Sequence, residues 1–148
     1  MVKTVPSSVL FCCDRNSLRS PMAEGIMKKI FPNKLYVQSA GVLENLPVDG
    51  FAIAVCQEIG VDLINHRSRS LEEMEAWGDE LTSFELIVAM TPAAQRRVLD
   101  WTRFFAFEVE YWPTLDPTGM GMTRDQMLGY FRLTRDQIIQ QIEQRFLI

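Results

Sequence analysis

Short apolar runs alternate along this chain with longer segments whose apolar residues recur at helical spacing. Residues 9–12 are continuously apolar, as expected of a strand buried on both faces. Ser20-Pro21 then opens a helix, with proline in a first turn whose amides have no helical acceptor. Met22, Ile26, Ile30 and Phe31 mark its apolar side, and Pro32-Asn33 ends it. Residues 35–39 predict a second strand. Residues 48–59 predict a helix with Phe51, Val55 and Ile59 on one stripe and Gly60 as its stop. Residues 84–90 read as a third strand. Thr91-Pro92 caps and starts a helix carrying Val98, Leu99 and Trp101. Residues 107–112 give a fourth strand, and 125–146 a long final helix bearing Leu128, Phe131, Ile138, Ile142 and Phe146. Strands alternating with helices predict an α/β fold, a parallel sheet covered on both faces. Ligands of such sheets bind beyond the carboxyl ends of the strands. The first strand ends at Cys12-Cys13, so chemistry is expected there.

Composition narrows the choice. The 148 residues fit one domain spanning 1–148, and a 47% hydrophobic content supplies a core without disulfide or metal scaffolding. The formal net charge of −4 argues against nucleic acid and anionic membrane as general partners. No apolar stretch reaches the roughly 20 residues of a membrane span. Residues 1–8 lack the ordered regions of a secretory leader, which gives a cytoplasmic reading. Three cysteines, two of them adjacent, make no disulfide framework. The single histidine, His66, has no zinc-type spacing to a cysteine, so neither metal nor cofactor is called for.

The candidate chemistry lies between Cys13 and Arg19, five residues apart and followed by Ser20-Pro21. Spacing alone is weak evidence, but it falls between a strand end and a helix start. A loop of that length can curl so that successive backbone N–H groups, together with the helix N-terminus, form an anion cradle. The same field stabilises a thiolate. Arg19 offers a planar fork matching two phosphoryl oxygens. Cys13 can then attack phosphorus in line, against donors already in place. Cys12, inside the strand run, reads as a core residue. A leaving alkoxide or phenoxide also needs a proton. Asp116-Pro117 sits in a loop at 113–121 after the fourth strand, at the same end of a parallel sheet as Cys13. Neither a Gly-x-x-x-x-Gly-Lys-Ser/Thr loop nor a Gly-x-Gly-x-x-Gly fingerprint is present.

With these motifs the sequence resembles the low-molecular-weight protein tyrosine phosphatases and the related thiol-dependent arsenate reductases. Cys13-Asp-Arg-Asn16-Ser-Leu-Arg19-Ser20-Pro21 matches the family's Cys-x-x-Asn-x-Cys-Arg-Ser-Pro. Ser39-Ala40-Gly41, His66-Arg67-Ser68-Arg69, Val88-Ala89-Met90 and Asp116-Pro117 match in order. The resemblance implies a three-layer α/β/α sandwich of the phosphatase I-like kind, with a four-stranded parallel sheet in the order 2-1-3-4. It implies Cys13 as nucleophile, Arg19 as phosphate binder and Asp116 as general acid. It places substrate against Asp14, Arg15, Asn16, Ser17, Leu18, Arg19 and Ser20, with Asn16, Ser20, Ser39 and His66 supporting the loop.

Several positions depart from the family pattern. Arg15 stands where the family has Gly, so the loop either tolerates a side chain there or is distorted. Leu18 replaces a cysteine that can pair with the nucleophile, so that redox switch is expected to be missing. The aromatic walls that eukaryotic members place after Ser-Ala and after Asp-Pro are absent: residues 42–46 read Val-Leu-Glu-Asn-Leu, and Thr118 follows Pro117. Trp112, Tyr111 or Trp77 are the candidates for a different wall, with core packing the more usual role for such residues. Ser17 adds a loop hydroxyl, as in relatives that act on phosphoarginine. The expectation is a phosphomonoester phosphatase working through a cysteinyl-phosphate on phosphotyrosine or another phosphorylated protein side chain, or on a small phosphate ester. It would release inorganic phosphate and exist as a monomer or weak homodimer. Arsenate reduction, phosphoarginine hydrolysis and a non-catalytic anion-binding role are the alternatives.

Overall fold

The computed structural model describes residues 5–32, 35–102 and 107–147. Its four strands, β1 (Ser8–Cys13), β2 (Tyr36–Gly41), β3 (Leu86–Ala89) and β4 (Glu108–Tyr111), form one sheet in the order β2-β1-β3-β4 with every pairing parallel. β1 is central and buried at all its positions, which is why its sequence is apolar without alternation. β4 is the half-exposed edge.

Neighbouring residues of a strand point to opposite faces. Val9 and Phe11 join Val37, Leu86 and Val88 beneath α1 (Arg19–Ile30), α2 (Gly50–Gln57) and α5 (Arg124–Phe146). Leu10 and Cys12 join Ala40, Ile87 and Ala89 beneath α3 (Leu71–Ala76), a 3₁₀ turn at Leu81–Ser83 and α4 (Pro92–Trp101). The result is the expected α/β/α sandwich in the expected strand order.

Differences from the sequence reading are local. The third strand ends one residue short of Met90, which is buried in the core, and α1 closes at Ile30. Asn33, half of the predicted stop Pro32-Asn33, lies outside the described residues. Helix α3 was not anticipated. It has six residues, too few for a periodic stripe, yet it starts with a capping box: Ser70 accepts from the Glu73 N–H at 3.1 Å, and Glu73 accepts from the Ser70 N–H at 3.3 Å.

Candidate active site

The loop between β1 and α1 is held from outside by residues 42–49. The carbonyls of Cys13, Asp14, Arg15 and Ser17 accept N–H bonds from Val42 (3.0 Å), Leu43 (2.7 Å), Leu46 (3.2 Å) and Asp49 (2.8 Å). In a planar trans peptide the C=O and the following N–H point oppositely. Carbonyls turned out therefore turn the N–H groups of Asp14, Arg15, Asn16 and Leu18 in. Leu18, the N-cap of α1, makes no side-chain capping bond, so the first-turn amides of that helix also open onto the loop.

Gly41 is required for this wrapping. A Cβ there would lie 2.8 Å from the backbone of Asp14, Arg15 and Asn16 alike. Arg15 does not need to be glycine. The left-handed turn falls one residue later, on Asn16 at φ 51°, the one non-glycine residue with positive φ among those described. Asparagine tolerates that region better than most residues. Arg15 therefore occupies no glycine-favouring backbone region.

Asn16 is fully buried and is the hub of the support. Its Nδ2 donates to Ser20 Oγ and Ser39 Oγ, both at 2.9 Å. Its Oδ1 accepts from the Arg69 N–H at 3.0 Å and meets His66 Nε2 at 3.1 Å, which fixes the proton on Nε2. Ser20 Oγ lies 2.9 Å from Cys13 Sγ. Ser39 Oγ donates to Glu24 Oε1 at 2.6 Å, and Lys28 closes the chain on Glu24 Oε2 at 2.7 Å. Burial holds the His66 pKa below the usual histidine value, against a smaller opposing pull from Glu24.

Cys13, Asp14, Arg15, Ser17, Leu18, Arg19, Leu46, Asp49, Asp116 and Thr118 line one cleft of about 300 Å³. Arg19 Nη1 donates to Thr114 O at 3.2 Å, and its Nη2 lies 3.9 Å from Asp116 Oδ2, so the arginine ties the phosphate loop to the acid loop. That second loop is held to α5, where Gln137 Oε1 accepts from the Leu115 N–H (2.9 Å) and Thr134 donates to Leu115 O (3.2 Å). Asp116 keeps half its side chain in solvent, with Oδ1 accepting from the Thr118 N–H at 3.0 Å.

The expected site residues thus divide into two groups. Cys13, Asp14, Arg15, Ser17 and Arg19 reach the cleft. Asn16, Ser20, Ser39 and His66 lie behind it, and the side chains of Asn16 and Ser20 are occupied with support rather than facing substrate. Asp14 is also partly committed, because its Oδ1 accepts from the N-cap hydroxyl of Thr91 at 2.7 Å. Leu18 reaches the cleft's edge while its side chain belongs to the apolar core.

The alternative aromatic wall needs correction. Trp112 packs between Phe11 and Phe146 in the core, with ring centroids at 5.7 and 6.0 Å. Trp77 carries Arg67 and Arg69 over its ring, beside His66. Tyr111 does not line the cleft. Leu46 and Thr118 take the wall positions. Sequence reasoning missed Glu24, Leu46, Asp49, Thr91 and Thr114 as site residues. Only Thr91, recognisable as a helix N-cap beside a strand end, carried a usable signal.

The other two thiols lie outside the cleft. Cys12 is fully buried beneath α3 and α4, and burial pushes its thiol far up. Burial also pushes the Cys56 thiol up, to about 12. Among the described residues no cluster of three or more His, Cys, Asp and Glu side chains could hold a metal ion, and no helix is long and apolar enough to cross a membrane.

The family model described as low molecular weight phosphotyrosine protein phosphatase matches residues 8–145. This chain belongs to that family. Among curated members, a glutaredoxin arsenate reductase of Synechocystis sp. is 32% identical to this phosphatase-family chain over 135 residues, covering 91% of this chain and 92% of its own. Among solved members, a low molecular weight protein tyrosine phosphatase from T. tengcongensis superposes with a TM-score of 0.72 at 28% identity, over 92% of this chain and 95% of that one. The arginine phosphatase YwlE, solved with a phosphorylated active-site serine, gives 0.73 at 25% identity, over 93% and 91%.

Proposed function

We propose that this family member is a phosphomonoester phosphatase acting through a cysteinyl-phosphate on a phosphorylated protein side chain. The observation that carries the reading is one cleft holding a thiol, a guanidinium and a half-exposed carboxylate at the mouth of an amide cradle. Cys13 Sγ attacks phosphorus in line while the inward N–H groups and Arg19 hold the phosphoryl oxygens. Asp116 protonates the departing oxygen or nitrogen, then takes a proton from the water that cleaves the S–P bond. Inorganic phosphate leaves and the thiolate returns. A binding protein would have no use for the third group, which disfavours a non-catalytic role. The protein would work in the cytoplasm as a monomer or weak homodimer.

The 32% identity to an arsenate reductase supports a second reading. Reducing arsenate to arsenite takes two electrons, hence a second thiol able to reach Cys13. Cys12 and Cys56 are fully buried, so that thiol would come from another molecule. Turnover of p-nitrophenyl phosphate, set against arsenate-dependent oxidation of glutathione with glutaredoxin present, separates the two. Hydrolysis without thiol oxidation is expected.

Substrate class is tested by comparing phosphotyrosine, phosphoarginine and phosphoserine peptides. In Asp116→Asn, hydrolysis of esters with poor leaving groups should fall roughly 10²–10³-fold, and that of p-nitrophenyl phosphate much less. Equal losses for both would remove Asp116 from the acid role.

A further inference from the structure

Arg15 is tied to the outer strap twice. Its backbone carbonyl accepts from the Leu46 N–H at 3.2 Å, and its Nη1 donates to Glu44 O at 2.9 Å. These bonds fall on either side of Asn45, whose own Nδ2 donates to Ser68 O at 3.1 Å. The segment so pinned carries Leu46, which is 49% exposed and lines the cleft. Leu18, the other leucine at the cleft, has its side chain in the core, so Leu46 is the aliphatic group offered to a substrate. Arg15 itself stands exposed at the same cleft, in a backbone conformation that glycine is not needed to supply.

Building on the phosphatase reading, we propose that Arg15 is a positioning residue that fixes residues 44–46 as the substrate wall, and that Leu46 is the specificity-determining contact it presents. Without the guanidinium, residues 44–46 would be held to the phosphate loop only by the Leu46 backbone bond, with Asn45 tying them to Ser68 on the far side, in a segment that has no helix or strand of its own. The guanidinium anchors it to the rim of the phosphate cradle. The distance between phosphoryl group and wall is then set by the protein before substrate arrives, so less ordering remains to be done on binding. Substrates that extend to the wall gain from this, and small esters that fill only the cradle gain little. The aliphatic contact suits a phosphorylated side chain without demanding an aromatic ring.

The test compares KM for a phosphopeptide and for p-nitrophenyl phosphate in wild type, Arg15→Gln, Arg15→Lys, Leu46→Ala and the Arg15→Gln/Leu46→Ala double variant. Arg15→Gln should raise the peptide KM roughly five-fold, the worth of one such hydrogen bond, and the ester KM by distinctly less. Arg15→Lys, which keeps a charged donor, should recover part of the loss. In the Leu46→Ala background, Arg15→Gln should add little, since the two act through one wall. Equal rises for both substrates, or additive effects in the double variant, would overturn the proposal. Hydrogen exchange reads the pin without turnover: the Leu43 and Leu46 amides should exchange faster in Arg15→Gln. Unchanged exchange would refute the pin even in an active enzyme. Absence of all hydrolysis by wild type would instead refute the phosphatase reading while leaving the pin measurable.

Discussion

Cys13→Ser is expected to lower turnover of any phosphate ester by on the order of 10⁴-fold or more while inorganic phosphate or vanadate still binds. A hydroxyl has the shape of the thiol and can keep the contact with Ser20 Oγ, now 2.9 Å from sulfur. It is not ionised near neutral pH, and the thiolate is the attacking form of the native group. Binding persists because the anion's partners are inward backbone N–H groups and Arg19, which the substitution leaves in place. Steady-state assays and vanadate titration by calorimetry measure the two effects separately. Turnover within tenfold of wild type would place the nucleophile elsewhere. Thiol labelling gives an independent check. Iodoacetamide should modify Cys13 and spare Cys12 and Cys56, which lie wholly inside the two cores, and phosphate should protect against it. With Leu18 in place of a second loop cysteine, mild oxidation should yield no disulfide within the loop.

The chemical half of this site was readable in the sequence because it rests on residue types at fixed spacing. Cys13, Arg19 and Ser20-Pro21 follow a buried strand and open a helix, and Asp116 falls in a loop that parallel topology brings to the same end. Other parts were not readable, for physical reasons. Glu24 with Lys28 four residues on looks like an ordinary surface pair on a helix, and only the fold shows that one carboxylate oxygen reaches under β2 to Ser39. The strap at 42–49 acts through backbone N–H groups, which leave no mark on side-chain pattern. Trp77 and Trp112 resembled wall candidates because composition cannot say which way a ring faces. The significance of Arg15 also depended on geometry. Substitution of a family glycine suggested strain, and the dihedral angles put the demanding conformation on Asn16 instead.

Asn16 is therefore the position where stability and catalysis should fail together. In Asn16→Ala the His66 Nε2–H and the Arg69 N–H lose their acceptor inside the protein, at about 1–3 kcal/mol each. Alanine also adds about 1 kcal/mol for holding φ near 51°. A total loss of roughly 3–7 kcal/mol follows, which for a chain of this size lowers Tm by about 10 °C or more. Turnover should fall as well, because Ser20 Oγ and Ser39 Oγ lose the common donor that aligns them behind Cys13. Asn16→Gly separates the two contributions. Glycine enters the left-handed region freely, so about 1 kcal/mol of stability should return relative to alanine. Turnover should not, since glycine restores none of the four contacts. If Asn16→Gly turned over substrate like wild type, the cradle would be held by the outer strap and Gly41 alone, and the chain from Glu24 through Ser39 and Asn16 to Ser20 would serve folding without serving the reaction.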